Sequence, residues 1–258
     1  MMKKPLVPIL CCCLLSLPGH AQYKQEKLTY IDESGSKVKE KDAYELRQVL
    51  QVNDTLWEIN LYKIDGPRIS SIQSTTADGA LRNGISISYD ARGAADTVGY
   101  YDHGEREGYW ALRKDKRYLG QLYYEHNKLI WQKDSAQLHQ EWLSDSAKAI
   151  AEGKPNVFKE SSYPGGAAGW LKYLNTHLRY PNEAVNKQLQ GEVRIEFRVD
   201  QQGELKDEPL EVIRSVAYSL DKESLRIIYE SGQWDPAVKF GNKVKSWKIQ
   251  PVVYRLAR

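Results

Sequence analysis

Cysteine is confined to Cys11, Cys12 and Cys13, methionine to Met1 and Met2, and phenylalanine to 3 positions in a chain of 258 residues. If the cysteines leave with a leader, what remains has neither a disulfide framework nor a thiolate metal site. Charge of one sign is also lacking. The chain has 37 Lys+Arg against 34 Asp+Glu, and loss of Lys3 and Lys4 would bring the two within one of each other. That balance gives no electrostatic reason to expect nucleic acid or an anionic membrane as partner. There is no Gly-x-Ser-x-Gly elbow and no phosphate loop, and the histidines are scattered. The expectation is a binding protein and not an enzyme, with no catalytic residue, no metal and no cofactor.

The start of the chain reads as an export signal. Lys3 and Lys4 precede an apolar run from Leu6 to Leu17, and Pro18-Gly19-His20-Ala21 ends it with a small residue ahead of a cut before Gln22. The run falls short of the roughly 20 apolar residues that cross a bilayer. A cleaved signal over 1–21 and a periplasmic location are therefore expected, with an inner-membrane anchor as the weaker reading. Bulky Ile9 and Leu10 argue against a lipid-attached cysteine.

Residues 22–133 read as an all-β antiparallel meander. Tyr44 to Val52 alternates apolar and polar, Asn53-Asp54 turns, and Leu56 to Tyr62 alternates again, which predicts a hairpin. Turn signals follow at Asp65-Gly66-Pro67, Asp78-Gly79, Asn83-Gly84, Arg92-Gly93 and His103-Gly104. The segment from Arg82-Asn83-Gly84 to His103-Gly104 aligns with that from Arg106-Glu107-Gly108 to His126-Asn127, at an offset of 24 that slips to 23. Such a period signals stacked hairpins. The phrase from Tyr101 to Trp110 resembles a MORN-type repeat, clearest over 82–131, with Asn127-Lys128 where Asn-Gly is expected.

Tyr89, Tyr100, Tyr101, Tyr109, Trp110, Tyr118, Tyr123, Tyr124 and Trp131 form an aromatic stripe in this region. They fit either a cross-strand ladder that holds a thin sheet together or a platform for glycan or peptide. His103 and His126 sit at equivalent turns and read as polar turn residues.

Residues 134–160 change to a helical linker, with Ala136, Leu138, Trp142, Leu143, Ala147 and Ile150 in one or two pieces before Gly153 and Pro155. In 161–258 an α+β order follows. Trp170, Leu171, Leu174 and Leu178 give a helix one face, Pro181 ends it, and Asn182 caps a short turn. Val193, Ile195, Phe197 and Val199 alternate along a strand, and the return strand holds Leu210, Val212 and Arg214. Ser219 opens the main helix, with Leu220, Ser224, Leu225, Ile228 and Tyr229 facing inward. Val244 to Tyr254 makes the final strand, placed at a sheet edge because Pro251 cannot donate to a ladder.

These landmarks in this order resemble the TonB C-terminal domain, in the variety common in Bacteroidetes-type envelope proteins. The residues that carry the resemblance are Pro164-Gly165-Gly166, Leu178-Arg179-Tyr180-Pro181, Glu183-Ala184, Gln190-Gly191-Glu192-Val193, Phe197 to Gly203, Leu220-Asp221-Lys222-Glu223, Trp234-Asp235-Pro236 and Gly241-Asn242-Lys243-Val244. Ser224 and Ser231-Gly232-Gln233 depart from the usual pattern. The resemblance implies a three-stranded antiparallel sheet packed on helices. It also implies capture of a TonB-box-like peptide of a TonB-dependent outer-membrane receptor, by strand addition along Val244, Lys245, Ser246, Trp247, Lys248 and Ile249. Lys243, Lys245, Lys248 and Pro251 equally read as guards of an open edge. The expected role is transport across the outer membrane, with other envelope proteins as further partners of the repeats and a homodimer compatible with the sequence. With no Pro-rich spacer in 22–153, force transmission by this chain alone is not expected. The alternative is an envelope adaptor that uses its repeats to bind protein or glycan.

Overall fold

The computed structural model describes residues 23–114, 117–153, 158–205 and 210–256. The leader expected over 1–21, with its three cysteines and the cut before Gln22, lies outside the described residues. So do the side chains of Tyr118, Trp142, Ala147 and Ile150.

Nine strands form one antiparallel sheet in strict chain order: β1 (Gln25–Ile31), β2 (Glu45–Gln51), β3 (Trp57–Lys63), β4 (Arg68–Ser74), β5 (Arg82–Tyr89), β6 (Ala95–Asp102), β7 (Glu105–Lys114), β8 (Arg117–Glu125) and β9 (Lys128–Asp134). The expected hairpin is β2 and β3, paired from Glu45↔Lys63 to Gln51↔Trp57. At its tip the Asn53 side chain accepts the Thr55 N–H at 2.9 Å, an Asx turn that the Asn-Asp pair signals.

The internal repeat exists in the hydrogen bonding as well as in the letters. Gly104 donates its N–H to the Arg82 carbonyl at 2.8 Å, and one unit later Asn127 donates to the Arg106 carbonyl at 3.0 Å. Arg82 lies over the Tyr101 ring at 5.1 Å and Arg106 over the Tyr124 ring at 5.4 Å. Asn127 replaces the glycine at a φ of 66°. Asparagine is among the few other residues that tolerate that left-handed region, so the departure from Asn-Gly leaves the turn intact. His103 and His126 also share left-handed backbone, and they lie beside Asp102 and beside Glu105 and Glu107 respectively.

The aromatic stripe divides between the faces. Trp110 and Tyr124 are buried, and Tyr101, Trp110 and Tyr124 pack edge to face at 5.2 and 5.9 Å. Trp110 lies flat on Gly99, where a Cβ would sit 2.0 Å from its ring. Tyr109, Tyr123 and Trp131 cluster on the opposite side, with Tyr109 exposed.

Helix α1 (Ser135–Ala151) is a single helix. Its start is a reciprocal cap: the Asp134 side chain accepts the Gln137 N–H at 2.8 Å and Gln137 accepts the Asp134 N–H at 2.9 Å. The C-terminal unit comprises β10 (Phe158–Lys159), α2 (Gly166–His177), α3 (Asn182–Asn186), β11 (Gly191–Val199), β12 (Glu211–Arg214), α4 (Tyr218–Tyr229), β13 (Ala237–Lys239), β14 (Asn242–Val244) and β15 (Ser246–Tyr254). Two sheets result, the expected three-stranded one in the order β12-β11-β15, and a small one, β10-β13-β14. The core lies between the first sheet and the helices. Val193, Ile195, Phe197 and Val199 are all fully buried there with Leu220, Ile227, Ile228 and Val252, each side chain stabilising the fold by about 1.5–3 kcal/mol.

Several expectations need correction. The final strand does not run unbroken from Val244, because Val244 pairs with Ala237 in the small sheet and the ladder of β15 begins at Ser246. Asn182 lies inside α3, behind Pro181 at the cap position. Ser219 lies inside α4, whose cap is Ala217. The work assigned to Ser219 is done by Asp221, whose carboxylate reaches back to the Val216 N–H at 3.1 Å and the Ser215 hydroxyl at 2.6 Å. Leu171 and Tyr229 are exposed, at 59% and 58%. The inner face of α4 runs through Leu220, Ser224, Ile227 and Ile228, the i, i+4, i+7, i+8 stripe.

The two units are packed together. In the sheet register Gln48, Asn60, Ser71, Ile87 and Val98 share one face, and the C-terminal unit sits on it. Ile213 packs with Ile87, Tyr89 and Ala95, Tyr62 meets Tyr218 edge to face at 5.7 Å, and Arg113 pairs with Glu196 at 3.0 Å.

Candidate functional edge

A three-stranded sheet has two edges, and this chain closes one of them. Beside β12, Ala94 forms an antiparallel bridge with Arg214, and Ser215 donates its N–H to the Gly93 carbonyl at 2.7 Å. Tyr89 donates its hydroxyl to the Val212 carbonyl, and Arg68 donates its backbone N–H to the Ser215 hydroxyl at 2.7 Å. The loop between β5 and β6 can come this close only because residue 93 is glycine. Its φ is +77° and a Cβ there would lie 2.2 Å from the Ser215 carbonyl oxygen.

The other edge is β15. It pairs with β11 from Gly191↔Tyr254 to Val199↔Ser246, and among the described residues no further strand pairs with it. Pro251 lies within it opposite Arg194. A residue with no N–H is tolerated there because only one side of the strand carries a ladder. An open row of backbone donors and acceptors is what an extended peptide needs for main-chain pairing.

Of the six residues expected to carry the site, Ser246, Trp247, Lys248 and Ile249 lie on this edge. Val244 and Lys245 do not: the first belongs to β14 and the second links the two strands. The open edge continues instead to Tyr254, past the expected end. Its residues alternate. Trp247, Ile249 and Val253 are exposed at 56%, 42% and 42%, whereas Val252 and Tyr254 are buried in the core. Arg198, on the adjacent β11, lies over the Trp247 ring at 5.6 Å. On the other face Ser246 meets the Ser161 hydroxyl at 3.1 Å, and Lys248 lies 3.8 Å from Glu160. Sequence reasoning missed Val253 and Arg198, although the alternation through Trp247 and Ile249 points to the former.

Behind the covered edge is a buried polar layer. Arg68 and Asp221 are 2% and 0% exposed with Nε and Oδ2 3.9 Å apart, and the guanidinium donates to the Tyr62 hydroxyl at 2.9 and 2.7 Å. Burial pushes the Asp221 carboxyl up to about 6 against the opposing pull of Arg68 and the Ser215 hydrogen bond. Burial, then the Glu58 charge, pushes Glu211 up to about 8. These groups lie where the two units meet.

Residues 176–256 match the family described as Gram-negative bacterial TonB protein C-terminal. That span runs from the end of α2 through β15 and is similar to the C-terminal region of TonB proteins. The match does not reach the repeats at 82–131. No curated protein and no solved structure matches the chain.

Proposed function

We propose that this chain, given its TonB-type C-terminal region, is a periplasmic binding protein that holds an extended peptide of TonB-dependent outer-membrane receptors by strand addition to β15. The observation that carries the reading is the asymmetry of the three-stranded sheet. Its β12 edge is covered by the chain's own β5–β6 loop, and its β15 edge is open. The chemistry asked of the domain is main-chain hydrogen bonding flanked by side-chain contacts, so the protein acts as a binder and not as a catalyst. Export of the chain by removal of residues 1–21 belongs to the same proposal, and mass spectrometry of the mature N-terminus checks it.

The test is recovery of receptors from envelope extract by the whole chain and by the variant Ser246→Pro with Trp247→Asp, with thermal melting to establish that the variant is folded. Loss of receptors from the folded variant supports strand addition. Equal recovery by both proteins would sink it.

The cluster of exposed Tyr109 with half-buried Tyr123 and Trp131 favours a second reading, an envelope adaptor that binds protein or glycan through the repeats. Receptor recovery that survives the edge variant but falls with Tyr109→Ser and Trp131→Ser would support it.

A further inference from the structure

We propose that the small sheet β10-β13-β14 is a membrane contact, a basic finger tipped with phenylalanine that seats the chain on an anionic phospholipid surface. The contact is separate from the β15 edge and does not depend on strand addition there.

The near-neutral balance of the whole chain conceals a segregation of charge. No Asp or Glu follows Asp235, whereas Lys239, Lys243, Lys245, Lys248, Arg255 and Arg258 do. Lys239 and Lys243 lie on the hairpin of β13 and β14, and β10 brings Lys159 alongside. The register sets these residues in rows. Phe158, Lys239 and Asn242 stand directly opposite one another in the row next to the turn, and Lys159, Val238 and Lys243 form the row behind. Successive rows project to opposite faces, so lysine flanks the finger on both sides. All three lysines are exposed, and none of the three strands carries an acidic residue.

The tip is aromatic. Phe158 is 67% exposed, the most of any large hydrophobic side chain among the described residues. Phe240 stands half-buried in the turn itself, with the Lys239 ammonium over its ring at 5.4 Å. Phe240 and Gly241 both have positive φ, 50° and 81°. A two-residue turn of that kind favours Asn, Asp or Gly at its first position, so a phenylalanine is held there against the preference of its backbone. Such an outlier points to a use for the ring at that place.

A boundary of lipid and water accepts this arrangement. Aromatic rings enter the zone between headgroups and acyl chains, while lysine stems lie along it and carry their ammoniums to the phosphates. An acidic protein surface would engage the lysines and leave the Phe158 ring unrewarded. Only Lys245 separates β14 from β15, so a finger resting on a membrane holds the open edge close to partners embedded there.

The experiment is co-sedimentation of the whole chain with vesicles of phosphatidylcholine, with and without phosphatidylglycerol, at low and high salt. Binding is expected only with phosphatidylglycerol, and salt should weaken it by screening the lysines. Lys239→Gln with Lys243→Gln should weaken it by about tenfold or more. Phe158→Ser with Phe240→Asn should weaken it by about tenfold, and asparagine suits the left-handed turn, so the hairpin is kept. Melting curves establish that both variants are folded. Binding unchanged in either variant, or no sedimentation with phosphatidylglycerol, overturns the lipid contact. Soluble polyglutamate that binds as well as the mixed vesicles, with the phenylalanine variant behaving like the wild type towards both, overturns it in favour of an acidic protein partner. Strand addition stands or falls separately, because a vesicle offers no backbone to pair.

Discussion

The Arg68 guanidinium on β4 and the Asp221 carboxylate on α4 face one another across the junction of the two units, 3.9 Å apart and closed to solvent. Asp221 also holds the start of its own helix through the Val216 N–H and the Ser215 hydroxyl. One carboxylate thus ties the cap of α4 to the meander. Removing one member of a buried pair leaves the other charge uncompensated, which costs about 3–5 kcal/mol. Arg68→Met is expected to destabilise the chain by about that amount. Adding Asp221→Asn should recover part of the loss, and a double-mutant cycle by denaturant unfolding measures the coupling. Additive losses would show that the pair does not act as a unit.

Glu211 makes the stability of the chain depend on pH in the direction opposite to that of a salt-bridged carboxylate. Its folded pKa of about 8 stands above the ordinary 4.5 because burial, and then Glu58, disfavour its charge, with Arg68 opposing and Glu196 adding to the rise. Between those two values the folded chain holds a proton that the unfolded chain has released, so stability falls as pH rises. Asp221, raised to about 6, adds to the fall at the lower end of the range. Melting temperature is expected to decline from pH 5 to 8 through these groups, and Glu211→Gln should flatten the profile above pH 6. An unchanged profile in the variant would rule Glu211 out as the source.

Gly93→Ala is expected to loosen the covered edge specifically. The new Cβ meets the Ser215 carbonyl oxygen at 2.2 Å on a backbone of φ +77°, so the loop must withdraw. A loss of about 2–4 kcal/mol is expected from strain and lost pairing. Faster hydrogen exchange at the Ser215 amide, which donates to Gly93, distinguishes local release from general weakening.

In the repeats, Gly99→Ala should displace the Trp110 ring that lies on it. Tryptophan emission is expected to shift to the red, and stability to drop by about 1–3 kcal/mol as for other overpacked sites. Emission unchanged from the wild type would show that the ring accommodates the methyl.

Much of this architecture was legible before any coordinates. Alternation in Glu45–Gln51 and Trp57–Lys63 marks their hairpin, and Pro251 alone suffices to put the final strand at an edge. What stayed hidden depends on partners distant in sequence. Gln48, Asn60, Arg68 and Asp221 look like solvent-facing residues by type, yet they are buried where the units meet, 5%, 0%, 2% and 0% exposed. The break at Lys245 was hidden for a similar reason, since Val244 extends locally and only Ala237 draws it into another sheet. Of the expected site, the stretch from Ser246 to Ile249 is where the alternation and the edge coincide.

The strict chain order of the nine strands has a consequence for how the protein is made. Each strand pairs with the one just synthesised, so the meander can assemble hairpin by hairpin as the chain emerges. Its seat for the second unit must wait, because Arg68 and the Ser215 that receives its N–H are 147 residues apart. During that interval an apolar seat would invite aggregation. The Gln48, Asn60 and Arg68 side chains give the waiting surface a hydrated face until α4 arrives to cover it.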